Sequence, residues 1–217
     1  VDLSFSSLSY AIRKAEELRA ENIEFMQGDI LELQRIGRQF DIVESVGVLH
    51  HMDDPLAGWR VLVDVLRPGG LMKIGLYSNI ARREIFAARR LIADNGYSAT
   101  PDGIRRFRRD VVNMIKPTSS ISGVTKWSDF NSMSACRDLL FHVQEHCFTL
   151  TQIAEAVEKL GLVFLGFEMG NAKVMRRFRK ENPAKDSLAS LQLWSQFEQQ
   201  NPDTFKGMYQ FWVQHPG

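Results

Sequence analysis

Apolar positions along the first eighty residues change period several times. Leu8, Ala11, Ile12 and Ala15 recur at helical spacing behind Ser6 and Ser7, either of which can cap a helix running to Leu18. Val1-Asp2-Leu3-Ser4 reads as the tail of a strand before it, and Ile23–Met26 as a short strand ending at Gln27-Gly28-Asp29-Ile30. Phe40–Val46 is a second strand. Asp54-Pro55 then opens a helix through Leu66, with proline suited to the first turn. Arg67-Pro68-Gly69-Gly70 stops that helix, and Leu71–Tyr77 is a third strand. Strands alternating with helices of about 10–15 residues predict an α/β fold built on a parallel, doubly wound sheet.

The pattern changes after Tyr77. From Asn79 to Cys147 it is helical throughout, with turns at Asn95-Gly96, Pro101 and Pro117. Leu150–Leu160 is an amphipathic helix closed by Gly161, and Leu162–Met169 another strand. Asn171–Lys206 is polar and helical around Leu188–Phe197. Met208–Gln214 is strongly β-prone and forms the last strand.

Composition adds bounds. With 44% hydrophobic and 24% charged residues in 217, the chain can bury one sizeable core. Lys and Arg number 27 against 26 Asp and Glu, which excludes a polycationic nucleic-acid packer or an acidic tail. Two cysteines, Cys136 and Cys147, make no disulfide framework; on one helix they would stand about 16 Å apart. A soluble chain in a reducing cytoplasm is the expectation, with no membrane segment and no export signal. The chain opens on Val1 at what reads as the end of a strand, so a longer parent protein is expected.

Four motifs in order resemble the class I S-adenosylmethionine-dependent methyltransferases: VDLS at 1–4, GDI at 28–30, FDIVESVGVLHHMDDP at 40–55 and LRPGGLMKIGLYS at 66–78. The stretches at 132–169 and 201–214 further resemble bacterial methyltransferase-like proteins that carry tetratricopeptide repeats ahead of this domain. The resemblance implies a Rossmann-like sheet with residues 79–147 as a helical lid and 208–214 as a final antiparallel strand. It implies S-adenosylmethionine as cofactor: Asp2 on the ribose hydroxyls, Gly28, Asp29 and Ile30 around the adenine, and Ser45, Val46 and Gly47 beside the methyl group. Ligands of open α/β sheets sit beyond the carboxyl ends of the strands, where all these residues fall. The family's first strand and glycine-rich loop do not occur in these 217 residues, so 1–217 reads as an incomplete methyltransferase domain. That loop supplies N–H groups to the methionine carboxylate. The chain itself is therefore expected to be inactive and to bind the cofactor weakly.

Other constellations compete with plainer readings. His50 follows the strand that borders the methyl group and is the first candidate for a proton acceptor; a structural histidine is the plainer reading. Asp138, His142 and Glu145 fall on one side of a helical wheel and could line the substrate cleft, with His142 as a second proton acceptor; a solvated polar face is the alternative. Tyr77 and Arg82 complete the lid candidates. His142-Val143-Gln144-Glu145-His146 also matches an inverted zinc-peptidase signature, for which Glu198 would be the third ligand, but the family-like stretch explains it without metal. Arg82, Arg83, Arg89, Arg90, Arg105, Arg106, Arg108, Arg109 and Lys116 make the helical segment basic, and only Phe107 is closely interleaved with them. An RNA-modifying methyltransferase or a non-catalytic scaffolding module are therefore kept as alternatives, with nucleic acid the weaker partner and a small molecule or protein the expected substrate. An absent repeat domain could dock on the same basic surface. Without the first strand, the strand at 41–46 has an open edge, and a homodimer through it is expected, unless residues 23–26 move across to pair with it.

Overall fold

The computed structural model describes residues 1–114, 121–141 and 145–217. Its elements are α1 (Phe5–Glu17), β1 (Phe40–Val46), α2 (Pro55–Asp64), β2 (Leu66–Tyr77), α3 (Arg83–Asp94), α4 (Pro101–Met114), α5 (Met133–Phe141), α6 (Leu150–Lys159), β3 (Val163–Phe167), α7 (Ala172–Glu181), α8 (Leu191–Gln200) and β4 (Met208–Gln214). Short 3-10 turns at Ile30–Ile36, Leu49–His51, Val124–Lys126, Ser128–Asn131 and Lys185–Ala189 join them.

The four strands form one sheet in the order β1-β2-β4-β3. β1 and β2 run parallel, while β4 is antiparallel to both of its neighbours. The sheet is therefore α/β and Rossmann-like, with its C-terminal strand inserted against the grain. One adjacent pair is parallel, and the final strand is antiparallel, as the resemblance implied. Alternation along β4 buries Tyr209, Phe211 and Val213 on one face, which meet α6 and α8 residues Ile153, Val157, Trp194 and Phe197 in one core. Phe178 of α7 stacks on Trp194 at 3.6 Å and 6°.

Helix starts follow capping chemistry. Ser4, rather than Ser6 or Ser7, caps α1 by accepting from the Ser7 N–H, and Asp54 caps α2 by accepting from Leu56 and Ala57. Thr149 and Gln152 form a reciprocal capping box on α6. The Arg67-Pro68-Gly69-Gly70 turn falls inside the span of β2, and the pairing with β1 slips there between Phe40 and Ile42.

Two expected strands shrink to one shared bridge. Residues 23–26 form no strand: Asp2 pairs with Gln27 alone, through Asp2 N–H to Met26 O and Gly28 N–H to Asp2 O, both 3.2 Å. A strand is stable only in a ladder, and this segment has no second strand beside it. Nor does it cross over to β1, whose only partner among the described residues is β2. The outer edge of β1 stays open, with Ile42 59% exposed.

The described elements between β2 and α6 are all helices, joined by turns and loops, and they hold a core of their own. Ile85, Ile104, Phe107, Val124, Phe130 and Leu140 are buried together, apart from the sheet core. Two stems tie this helical unit to the sheet. Tyr77–Arg82 leads in, and Glu145–Thr149 leads back, with Phe148 N–H donating to Tyr77 O at 2.8 Å and Asn79 N–H to Phe148 O at 2.9 Å. No helix among the described residues is long and apolar enough to cross a membrane.

Candidate functional site

The two stems meet the carboxyl ends of β1 and β2 at a cleft of about 530 Å³. His51 and Tyr77 line it from the sheet, Arg82 and Glu145 from the stems, and Asp129, Asp138 and Leu139 from the helical unit. Tyr77, the last residue of β2, is clasped. The His50 ring stacks on it at 3.7 Å between centroids, and the Arg82 guanidinium carbon lies 3.7 Å from the same centroid. Groups that close can lie only over the ring faces, one on each side.

Arg82 is held there by Glu145. Its Nη2 donates to both carboxylate oxygens at 2.8 and 3.0 Å, and Arg89 Nη2 reaches the second oxygen at 2.6 Å. Arg89 also donates to Leu139 O at 2.8 Å. Arg82 and Glu145 are almost wholly buried. His146 N–H donates to His50 O at 2.8 Å, which pins the returning stem to the Leu49–His51 turn.

Burial decides the protonation states. Desolvation, with His51 and Arg82 nearby, drives His50 down to about 3 against a weaker opposing pull from the Gly75 backbone, so its imidazole is neutral at pH 7. Burial raises Tyr77 and lifts the Cys147 thiol to about 11; both keep their protons. Neither Cys136 nor Cys147 is in a disulfide.

The sequence-predicted residues divide between two places. Asp138, Glu145, Tyr77 and Arg82 come together at the cleft. His50 lies behind its wall, fully buried, and His51 takes the exposed position. His142 lies outside the described residues. Glu145 is not helical and sits on the returning stem, so it does not share the α5 face with Asp138. Glu198 is committed elsewhere: its carboxylate accepts from Tyr209 Oη at 2.9 and 2.8 Å and from Ser78 Oγ at 3.1 Å. Among the described residues no group of three His, Cys, Asp or Glu is placed to hold a metal.

The second place is the bridge at Asp2. It sets Asp2 one residue from Gly28, and Asp29 follows as the cap of the Ile30–Ile36 turn, accepting from Leu31 N–H at 2.9 Å. Ile30 packs on the sheet core. At the end of β1, Ser45 is buried with its hydroxyl unpartnered, Val46 abuts Gly75, and Gly47 turns with φ +80°. A side chain at Gly75 would strike Val46 and Met208, so the strands approach closely just below the cleft. These residues fit the adenosine half of a nucleoside cofactor: acidic acceptors, an apolar side chain and an unpaired hydroxyl.

The basic residues are partly committed, although Arg105, Arg108 and Arg109 line one surface pocket on α4. Arg82 and Arg89 are consumed by Glu145, Arg83 pairs with Asp203, Arg105 with Asp102, and Arg106 and Arg108 lie over Tyr97 and Phe130. Lys116 lies outside the described residues. Sequence reasoning missed His51, Asp129 and the pairing role of Arg89. The last was readable, since Arg82 and Arg89 stand seven residues apart and share a helix face.

Residues 1–74 match the family model of a methyltransferase domain. An uncharacterised protein of Synechococcus is 27% identical over 205 residues, which cover 91% of this chain and 49% of that one. The chain thus spans about half the length of this curated relative. Two structures of PKMT2 from Rickettsia typhi superpose with a TM-score of 0.67 at 14% and 15% identity. They cover 99% of this chain and 42% and 43% of theirs, and the second is a complex with AdoHcy. Residues 1–74 match the methyltransferase-domain family, and the chain as a whole shares the Rossmann-like fold of PKMT2.

Proposed function

We infer that this chain belongs to an S-adenosylmethionine-dependent methyltransferase. The observation that carries the reading is the match of residues 1–74 to a methyltransferase-domain model, within which Asp2 is bridged to Gln27 beside Gly28 and Asp29, and Ser45–Gly47 end the strand β1. The AdoHcy held by the structurally similar PKMT2 supports the choice of cofactor. When bound, the cofactor supplies a methyl group on a sulfonium, open to in-line displacement by a nucleophile. Asp2 accepts from the ribose hydroxyls, and Asp29 with Ile30 holds the adenine. Tyr77, fixed between His50 and Arg82, is the rigid wall that positions the methyl acceptor. His50 acts from behind as a positioning residue, while His51 stands on the cleft wall where a proton acceptor is needed.

No Gly-x-Gly pattern occurs in the 217 residues, so the methionine carboxylate lacks its backbone cradle and affinity is low. A dissociation constant for S-adenosylhomocysteine above ~100 μM is expected by titration calorimetry. Asp2→Asn, which keeps the acceptor used by Ser4 N–H at 2.7 Å, should weaken it roughly tenfold. The absence of saturable binding up to ~10 mM, or an Asp2→Asn variant that binds as well as the parent chain, would overturn the reading. A second reading is a methyltransferase-fold module that binds S-adenosylhomocysteine without catalysis. Methyl transfer by the longer parent protein to any acceptor in a peptide and metabolite panel would exclude it.

A further inference from the structure

Across the Ser128–Asn131 turn the surface changes sign. Asp129 lines the cleft, whereas Phe130 and Asn131 line a second pocket of about 350 Å³ against α4. One face of α4 brings Arg105, Arg108, Arg109 and Asn113 to this pocket, and among the described residues no carboxylate lines it. The three arginines differ in their commitments. Arg105 Nη1 donates to Asp102 at 2.8 Å, and Nε of Arg109 lies 3.5 Å from Asp110. Their side chains are 64% and 69% exposed, so these pairs are weak and exchange readily with a better anion. Asp110 also accepts from Tyr97 Oη at 2.9 Å with its second oxygen. Arg108 has no acidic partner among the described residues, and its guanidinium carbon sits 5.5 Å from the centre of the buried Phe130 ring. With both aspartates counted, three arginines still leave the pocket one positive charge.

We propose that this pocket binds the phosphate group of a small phosphate ester. Such a group carries close to two negative charges at neutral pH and three strong acceptor oxygens. The planar arginine fork takes these oxygens in pairs. Three guanidinium groups around one concave site, with the Asn113 and Asn131 carboxamides beside them, supply matching donors. A nucleic-acid strand fits these residues less well. It needs a longer cationic track and an exposed ring for its bases, but Phe130 is 3% exposed and Arg82 and Arg89 are bound to Glu145. The inference stands apart from the methyl-transfer reading, and its test needs no cofactor.

Inorganic phosphate is the probe, with sodium chloride at equal ionic strength as the reference. Phosphate should raise the melting temperature saturably, by about 3–6 °C at roughly ten times its dissociation constant. In the unaltered chain, side-chain 15N spectra should show arginine Nε signals moving with phosphate and not with chloride. Arg109→Gln changes an exposed side chain and should fold as the parent chain does, with phosphate affinity lowered about tenfold. Arg108→Met keeps the aliphatic stem on Phe130 and should lose as much. Arg176→Gln removes the same charge from α7 and should leave phosphate binding unchanged. Equal responses to phosphate and chloride, unmoved Nε signals, or full affinity in Arg109→Gln would overturn the proposal. So would an equal loss in Arg176→Gln, which would trace the response to net charge alone. Glycerol 3-phosphate should displace inorganic phosphate, and failure to do so would also count against the site. A short oligouridylate that binds more tightly than glycerol 3-phosphate, with a salt dependence of several released ions, would assign the surface to nucleic acid and overturn the small-ester assignment.

Discussion

Arg82 lies over one face of Tyr77 at 3.7 Å while Glu145 holds its guanidinium through both carboxylate oxygens. The last residue of β2 is thereby locked to the first turn of the helical unit by a pair that is almost dry. Breaking such a pair by removing one partner leaves an uncompensated buried charge. Glu145→Ala should therefore cost about 3–5 kcal/mol in urea unfolding, and a loss below 1 kcal/mol would show that the pair does not hold the unit.

His50 should make the protein acid-sensitive. Its folded value near 3 lies below the ordinary 6.5, so between these the unfolded chain binds the extra proton. The stabilisation is complete above about pH 6.5 and is lost as pH falls toward 3, up to roughly 3 kcal/mol between pH 7 and 4. His50→Phe keeps a ring against Tyr77 and removes the titration. Its stability should fall less steeply over that interval than that of the parent chain. Parallel curves would show that His50 is not the titrating group.

Glu198 should act with the opposite sign. Burial raises it above its ordinary value despite the bonds from Tyr209 and Ser78. The folded state then holds the proton more tightly than the unfolded one. The group's favourable contribution is present below the ordinary carboxylate range and is lost as pH rises through the raised value. Glu198→Gln keeps an acceptor for Tyr209 without the charge, so the variant should gain on the parent chain as pH rises from 4 to 8. A constant difference in melting temperature across that range would contradict the assignment.

The open edge of β1 should pair two copies. Phe40 and Ile42 are exposed on it, and strand edges are self-complementary about a two-fold axis. Light scattering at ~100 μM protein should give twice the 24.8 kDa chain mass. Ile42→Lys should return it to one chain. A mass near 25 kDa for the unchanged protein removes the dimer.

Local chemistry made much of this architecture legible in advance. Asp54-Pro55 marked the start of α2, Gly161 marked the close of α6, and the β-prone run Met208–Gln214 marked the last strand, because capping and propensity depend only on residues a few positions away. Asp2, the Gly28–Ile30 turn and the Ser45–Gly47 turn could be singled out by motif for the same reason: each motif is a short strand end. Tertiary structure alone decided what 23–26 would become, since a strand exists only when another lies beside it. It also decided that His51 rather than His50 faces the cleft, because a 3-10 turn points adjacent side chains in different directions. Above all it decided the fate of the arginines. Their spacing allowed a basic surface, but only the return of the chain at Glu145, sixty-three residues after Arg82, drew Arg82 and Arg89 out of solvent and into one buried pair of bridges.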